Sequence, residues 1–217
     1  MNEGSIAVAE SMSVTSSIYL FVKRVFDLII SSVLLITLSP LFLIIAVAIR
    51  MDSKGKAIYT QTRIGQNGKT FKLYKFRSMV VDADKVLFEL LEKNPEMKME
   101  YDIHKKLVHD PRVTRVGKII RKLSLDELPQ LLNVFNGEMS LIGNRPYLER
   151  EIKDMGRYYE DIVKTKPGIT GYWQVNGRSK TTFKSRCKME ADYSRRANLK
   201  LDMQIFLKTF KVLIKGL

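Results

Sequence analysis

The longest apolar run in the chain, Leu28 to Ile49, holds no charged residue, and it is framed by Lys23-Arg24 before it and Arg50, Lys54 and Lys56 after it. It is apolar on every helical face rather than striped, and it is long enough to cross a hydrocarbon core of about 30 Å at about 1.5 Å per residue. Membrane contact follows. Ser39-Pro40 interrupts the run; proline removes a backbone donor there, and the neighbouring serine can serve a freed carbonyl, so a bend is expected. Cations at both ends pull both ends towards the cytoplasm. The expected form is therefore a re-entrant helix within residues 18–50, with a single span as the alternative. Met1 to Ser17 is small, polar and without periodicity, which predicts a flexible tail.

The pattern then changes period. Ile58 to Ile64 and Phe71 to Phe76 flank Gln66-Asn67-Gly68, a tight-turn sequence, and predict a β-hairpin. Asp84 to Lys93 reads as a polar helix ending near Asn94-Pro95. From Val116, apolar positions 116, 119, 120 and 123 share one helix face while Arg115, Lys118 and Lys122 form another, as in a helix lying on an anionic bilayer. Leu128, Leu131, Leu132 and Phe135 repeat at helical spacing up to the stop signal Asn136-Gly137. Leu148, Ile152, Met155, Tyr159 and Ile162 predict a further amphipathic helix, residues 166–178 a glycine-rich loop, and Leu199 to Leu217 a helix at a membrane surface.

Asp126 and Glu127 stand side by side where one of these helices begins. Ser124 with Glu127 fits a capping box, and acidic residues are favoured at a helix N-terminus. Pro129 would then sit past the first turn and lose a hydrogen bond, so the other reading starts the helix near Pro129 and leaves the acid pair in its approach.

A formal net charge of +14 favours anionic partners: nucleic acid, an acidic membrane surface or phosphorylated substrates. Cys187 is the only cysteine, which excludes an intrachain disulfide. Two histidines, His104 and His109, are too few with one cysteine for a zinc cage, and both read as surface residues.

Several stretches together resemble one family. Asp126-Glu127-Leu128-Pro129-Gln130-Leu131, Gly137-Glu138-Met139-Ser140-Leu141-Ile142-Gly143 with Arg145-Pro146, Tyr74-Lys75-Phe76-Arg77-Ser78-Met79, Asp110 to Gly117 and Lys166 to Arg178 are similar to motifs of the bacterial sugar transferases, the monotopic polyprenyl-phosphate phosphoglycosyl transferases. The similarity runs from Lys23 to the C-terminus. It implies an α+β, mainly helical fold, with a re-entrant membrane helix broken at Ser39-Pro40, a small β-hairpin, and amphipathic interfacial helices around a cytoplasmic catalytic core. Residues 1–17 would be the tail, 18–50 the membrane helix and 51–217 the transferase domain.

The resemblance also implies the chemistry. Asp126 and Glu127 would be the catalytic dyad and the ligands of Mg²⁺, with Arg145, Lys75, Arg77, Arg112 and Arg178 as candidate phosphate-binding cations. The reaction would move hexose-1-phosphate from UDP-hexose to undecaprenyl phosphate and release UMP, through an aspartyl-phosphosugar intermediate, at the cytoplasmic face of the bacterial inner membrane. The family usually has proline where this chain has Asn144, which bears on the rigidity of the Arg145 loop. The glycines of the 166–178 loop would let backbone amides approach an anion. Trp173 is open between core, interfacial anchor and base-stacking roles. The competing reading is a membrane-anchored basic protein that binds acidic lipid or nucleic acid. It gives no reason for paired carboxylates beside a cation-rich surface, because carboxylates repel phosphate unless metal or chemistry is involved, so no nucleic acid is expected as ligand.

Overall fold

Two helices set at an angle take the place of the long apolar run. In the computed structural model, which describes residues 3–104, 107–177 and 181–216, α1 spans Glu3–Thr37 and α2 spans Ser39–Asp52. The arms bend by 61° at Leu38. Pro40 falls in the first turn of α2, where its missing N–H has no intrahelical partner to lose. Ser39 Oγ donates to the Ile36 carbonyl at 2.8 Å and Thr37 Oγ1 to the Val33 carbonyl at 2.8 Å, so hydroxyls serve the carbonyls around the bend. Among the described residues no single helix is long and apolar enough to cross a membrane, and the two arms reach that mark only together. The backbone before Ser17, expected as a tail, continues α1 from Glu3. It contains no proline, and extending an existing helix adds a hydrogen bond per residue without a second nucleation step.

The hairpin forms as expected. β1 (Ile58–Ile64) pairs antiparallel with β2 (Thr70–Phe76), Ile58 opposite Phe76 and Ile64 opposite Thr70. Asn67 and Gly68 turn the chain with φ of 56° and 75°. Side chains alternate across a strand, and β2 uses both faces. Leu73 joins a core with Leu131, Val134, Met139 and Ile205, whereas Phe76 joins Ile45 and Ile49 of α2 and Ile120. The hairpin therefore sits between α2 and the rest of the fold.

Downstream, α3 (Ala83–Lys93) ends before Asn94-Pro95 and α4 (Pro95–His104) follows it. Next come α5 (Arg115–Lys122), α6 (Gln130–Asn136) and β3 (Ser140–Ile142). β3 pairs in parallel with β4 (Gly168–Thr170), a second small sheet whose β4 strand lies in the stretch expected as a glycine-rich loop. A Cβ at Gly143 or Gly171 would collide with the backbone of the facing segment. The glycines of this region thus permit close backbone packing. The helix expected after Pro146 is broken into α7 (Ile152–Met155) and α8 (Tyr159–Ile162), because Gly156 takes φ 54° between them. The remaining helices are α9 (Tyr172–Asn176), α10 (Phe183–Arg196) and α11 (Leu199–Gly216).

Asn133, fully buried on α6, ties that helix to β2. Its Nδ2 donates to the Lys72 carbonyl and to Glu138 Oε2, both at 2.7 Å, and its Oδ1 accepts the Tyr74 N–H at 3.0 Å. Asn133→Ala would strand a donor and two acceptors. Unmet buried groups cost roughly 1–3 kcal/mol each, so a loss of about 3 kcal/mol is expected in urea unfolding of the detergent-solubilised protein.

The two bent arms, α1 and α2, hold the remaining elements by their ends. Lys23 Nζ pairs with Asp202 Oδ2 of α11 at 2.5 Å and donates to the Ile142 carbonyl at 2.8 Å. Asp27 accepts the Leu141 N–H at 2.9 Å and the Ser140 hydroxyl at 3.1 Å. Arg24 donates to the carbonyls of Val134 and Phe135, at the end of α6. On α2, Asp52 accepts the Val116 N–H at 3.0 Å, at the start of α5.

Candidate active site

The dyad lies on neither α5 nor α6 but on the tight turn between them. Leu125–Glu127 form one 3-10 turn, entered through Ser124 at φ 57°. A non-glycine residue in this region is strained and needs its surroundings to hold it there. Ser124 makes no side-chain cap, so the capping-box reading fails, and α6 begins at Gln130 with Pro129 as its cap residue. Proline suits that position because it pre-sets φ and has no donor to satisfy. The acid pair is thereby left in the approach to the helix.

The two carboxylates have different surroundings. Asp126 is buried. Burial pushes its carboxyl above the usual range and neighbouring Glu127 adds to this, against the opposing pull of Lys75 and Arg121. Glu127 is partly exposed and accepts a hydrogen bond from Lys75 Nζ at 2.7 Å. Burial alone would raise it, but Lys75, Arg145 and a hydrogen bond with Gln130 outweigh that and hold it below the usual range. Adjacent carboxylates pushed in opposite directions are suited to different roles in one reaction.

Two of the candidate cations, Lys75 and Arg145, come together with the dyad. Arg145 follows β3 in the loop through Pro146, and its backbone N–H donates to Glu190 Oε1 at 3.0 Å. The asparagine before it, which departs from the family's proline, is itself fixed. Asn144 Nδ2 donates to the Ile162 carbonyl and to the hydroxyls of Thr165 and Ser194.

Two other candidates, Arg77 and Arg112, make their contacts with protein groups away from the dyad. Arg77 donates to the carbonyls of Ser53 and Lys54, just after α2, so it secures the exit of that helix. Arg112 holds Asp110 with Nε at 2.8 Å and Nη2 at 2.6 Å, and Nη1 reaches the Ala83 carbonyl. Burial would raise the Asp110 carboxyl, but these contacts keep it low. Both guanidinium groups are buried against these partners. Arg178 lies outside the described residues. Trp173 is buried, with its indole N–H donated to Thr181 Oγ1 at 2.7 Å and the Arg186 guanidinium 4.4 Å from its ring, which settles it as a core residue.

Sequence reasoning missed Arg121, near Asp126, and Gln130. It also missed a buried charged group, Arg63, Glu151, Arg186 and Glu190, around the Arg145 loop. The signal available was the pair Arg186 and Glu190, four residues apart and therefore on one face of α10.

Residues 18–216 match the family model for bacterial sugar transferases. The chain belongs to the bacterial sugar transferase family. It is 43% identical over 187 residues to the exopolysaccharide production protein ExoY of Sinorhizobium fredii, covering 86% of this chain and 83% of that protein. It is 43% identical over 198 residues to the undecaprenyl-phosphate galactose phosphotransferase of Salmonella typhimurium, covering 90% of this chain and 41% of the relative. The UDP-glucose:undecaprenyl-phosphate glucose-1-phosphate transferase of Escherichia coli is 36% identical over 206 residues, again 41% of its length. This sugar transferase thus spans most of the ExoY protein and about two-fifths of the other two relatives.

Lys75 gives a direct check on the electrostatics of the sugar transferase dyad. Because its ammonium holds Glu127 low, Lys75→Met should raise that carboxyl. The acid limb of the kcat/KM profile should then move to higher pH, since Glu127 is protonated earlier as pH falls.

Proposed function

We propose that this protein transfers hexose-1-phosphate from a UDP-hexose to undecaprenyl phosphate, releasing UMP, as the first membrane step in assembly of an extracellular polysaccharide. The observation that carries the reading is the oppositely shifted carboxylate pair, Asp126 and Glu127, beside Lys75 and Arg145. The names of the Salmonella and Escherichia relatives support the substrate classes.

In the first step an Asp126 carboxylate oxygen attacks the sugar-bearing phosphorus, and the bond to the bridging oxygen breaks, so that UMP leaves with that oxygen. In the second, a phosphate oxygen of undecaprenyl phosphate attacks the same phosphorus and the aspartyl–phosphorus bond breaks, giving a diphosphate-linked sugar and a free carboxylate. Lys75 favours the ionised form of Asp126, and Glu127 positions the acceptor and takes its proton. Arg145 meets charge on the equatorial phosphate oxygens.

Asp126 accepts no hydrogen bond from another side chain among the described residues, whereas Glu127 is held by Lys75 and Gln130. No cluster of three metal-ligating side chains is present among those residues. Two hard oxygen donors fit Mg²⁺, which commonly takes one or two carboxylates and completes its shell with water and substrate phosphate. When bound by Asp126 and Glu127, it would neutralise phosphate charge. The released nucleotide tests the whole reading. With donor, magnesium and undecaprenyl phosphate, UMP is expected; UDP would mean transfer of the sugar alone, and no nucleotide would mean a binding protein.

The bent arms support a re-entrant anchor with the catalytic part on the cytoplasmic side. Large apolar side chains stand exposed on both, among them Phe21, Ile29, Ile36, Leu43 and Ile44. α11 adds Met203, Leu207 and Phe210, and α5 adds Ile119 beside its lysines, as interfacial helices do. Cys187 is fully buried, so the native protein offers a silent background for Ser11→Cys. An impermeant maleimide should label that thiol only after right-side-out cells are opened. Labelling in intact cells would mean that the arm spans.

A further inference from the structure

Three guanidinium groups meet behind the dyad with too few acceptors. Arg63 comes from β1, Arg145 from the loop after β3 and Arg186 from α10, and Arg145 acts repulsively on both of the others. Arg63 is partly served, donating to the Pro146 carbonyl at 3.0 Å and to Gln61 Oε1 at 2.6 Å. The Arg145 and Arg186 side chains make no hydrogen bond or ion pair among the described residues, and the Nε of all three arginines is buried without an acceptor. Arg186 is only 5% exposed. Trp173 at 4.4 Å and Phe183 at 5.5 Å attend its guanidinium as aromatic neighbours, so what it lacks is an acceptor at its N–H edge.

The carboxylates nearby do not balance the group. Glu151 Oε2 accepts the Leu148 N–H and stands 3.9 Å from Arg63. Glu190, one turn after Arg186, gives Oε1 to the Arg145 N–H and leaves Oε2 buried without a partner. Burial raises its carboxyl to about 7, so its compensating charge is incomplete at neutral pH. Buried guanidinium donors without acceptors are unfavourable unless an anion completes them, and the guanidinium fork matches phosphate oxygens. This corner packs on the core of Tyr147, Phe183 and Cys187, which contains no residue of α1 or α2.

We propose that Arg186 and Arg145, backed by Arg63, form the subsite that binds the diphosphate of the soluble nucleotide donor. The assignment rests on the transfer reaction above and adds Arg186, which that mechanism does not use. The test is calorimetric titration of the full chain in detergent with inorganic pyrophosphate and with UDP, beside steady-state kinetics. Arg186→Gln should weaken both ligands at least tenfold and raise the KM for UDP-hexose to a similar degree. The KM for undecaprenyl phosphate should stay within twofold.

Unchanged binding of pyrophosphate and UDP would overturn the proposal. So would a change confined to the KM for undecaprenyl phosphate, which would assign the cluster to the lipid phosphate. If Arg186→Gln does not fold, Arg186→Lys keeps the charge but not the fork, and should still bind pyrophosphate at least threefold more weakly; equal binding would overturn the subsite. Anion binding needs no turnover. A wild-type protein that binds pyrophosphate through Arg186 yet releases no UMP would therefore refute the reaction and keep the subsite.

Discussion

Asp126→Asn is expected to lower turnover by on the order of 10⁴-fold or more, the scale seen when a covalent nucleophile is removed. The change keeps shape and volume while deleting the attacking oxygen's charge. Because burial raises the Asp126 carboxyl in the folded protein, its ionised form is disfavoured there relative to the unfolded chain. Neutral asparagine removes that penalty, so thermal stability should hold or rise while activity disappears. Intact-protein mass gives the decisive readout. Wild type given donor alone should gain one hexose phosphate, and Asp126→Asn should gain nothing; an adduct on the variant would move the nucleophile to another residue.

Arg145→Ala should be the next most damaging change, lowering kcat by about 10²–10³-fold, as loss of one preorganised charge-stabilising group does. The Arg145 side chain has no hydrogen-bond partner of its own among the described residues, so little folding stability depends on it. Its backbone N–H, which binds Glu190, survives the substitution. A fall in kcat with an unchanged melting temperature would fit a group that acts on the transferring phosphate. Near-wild-type kinetics at low donor concentration would reduce Arg145 to a turn residue.

What could be read from the sequence followed the range of the interaction involved. The broken apolar run, the hairpin and the acid pair are local patterns, and each appears where its residues predict it. The β3–β4 pairing was hidden because Ser140–Ile142 and Gly168–Thr170 are three residues each, too short for a period, and are joined only through space. Gly156 has a similar effect on α7 and α8, since a positive φ is invisible in a run of otherwise helical spacing. The site shows the same division. Lys75 and Arg77 share a motif two residues apart, yet one reaches Glu127 while the other closes on the Ser53 and Lys54 carbonyls. The local pattern does not say which cation faces which partner. Arg186 and Glu190 meet the Arg145 loop only through space, and no element is predicted for their stretch.

Arg24, Asp27 and Asp52 make α1 and α2 difficult to exchange. The first covers the end of α6, the second fastens β3 and the third starts α5, so the helices on either side of the acid pair each end on a residue supplied from the two bent arms. A fusion that replaces these arms with an unrelated segment would leave those ends ragged. Transplanting the rest of the fold onto another N-terminal segment therefore requires grafting these three side chains at matching spacing and rotation. The bent arms belong to the enzyme's scaffold and not only to its surface.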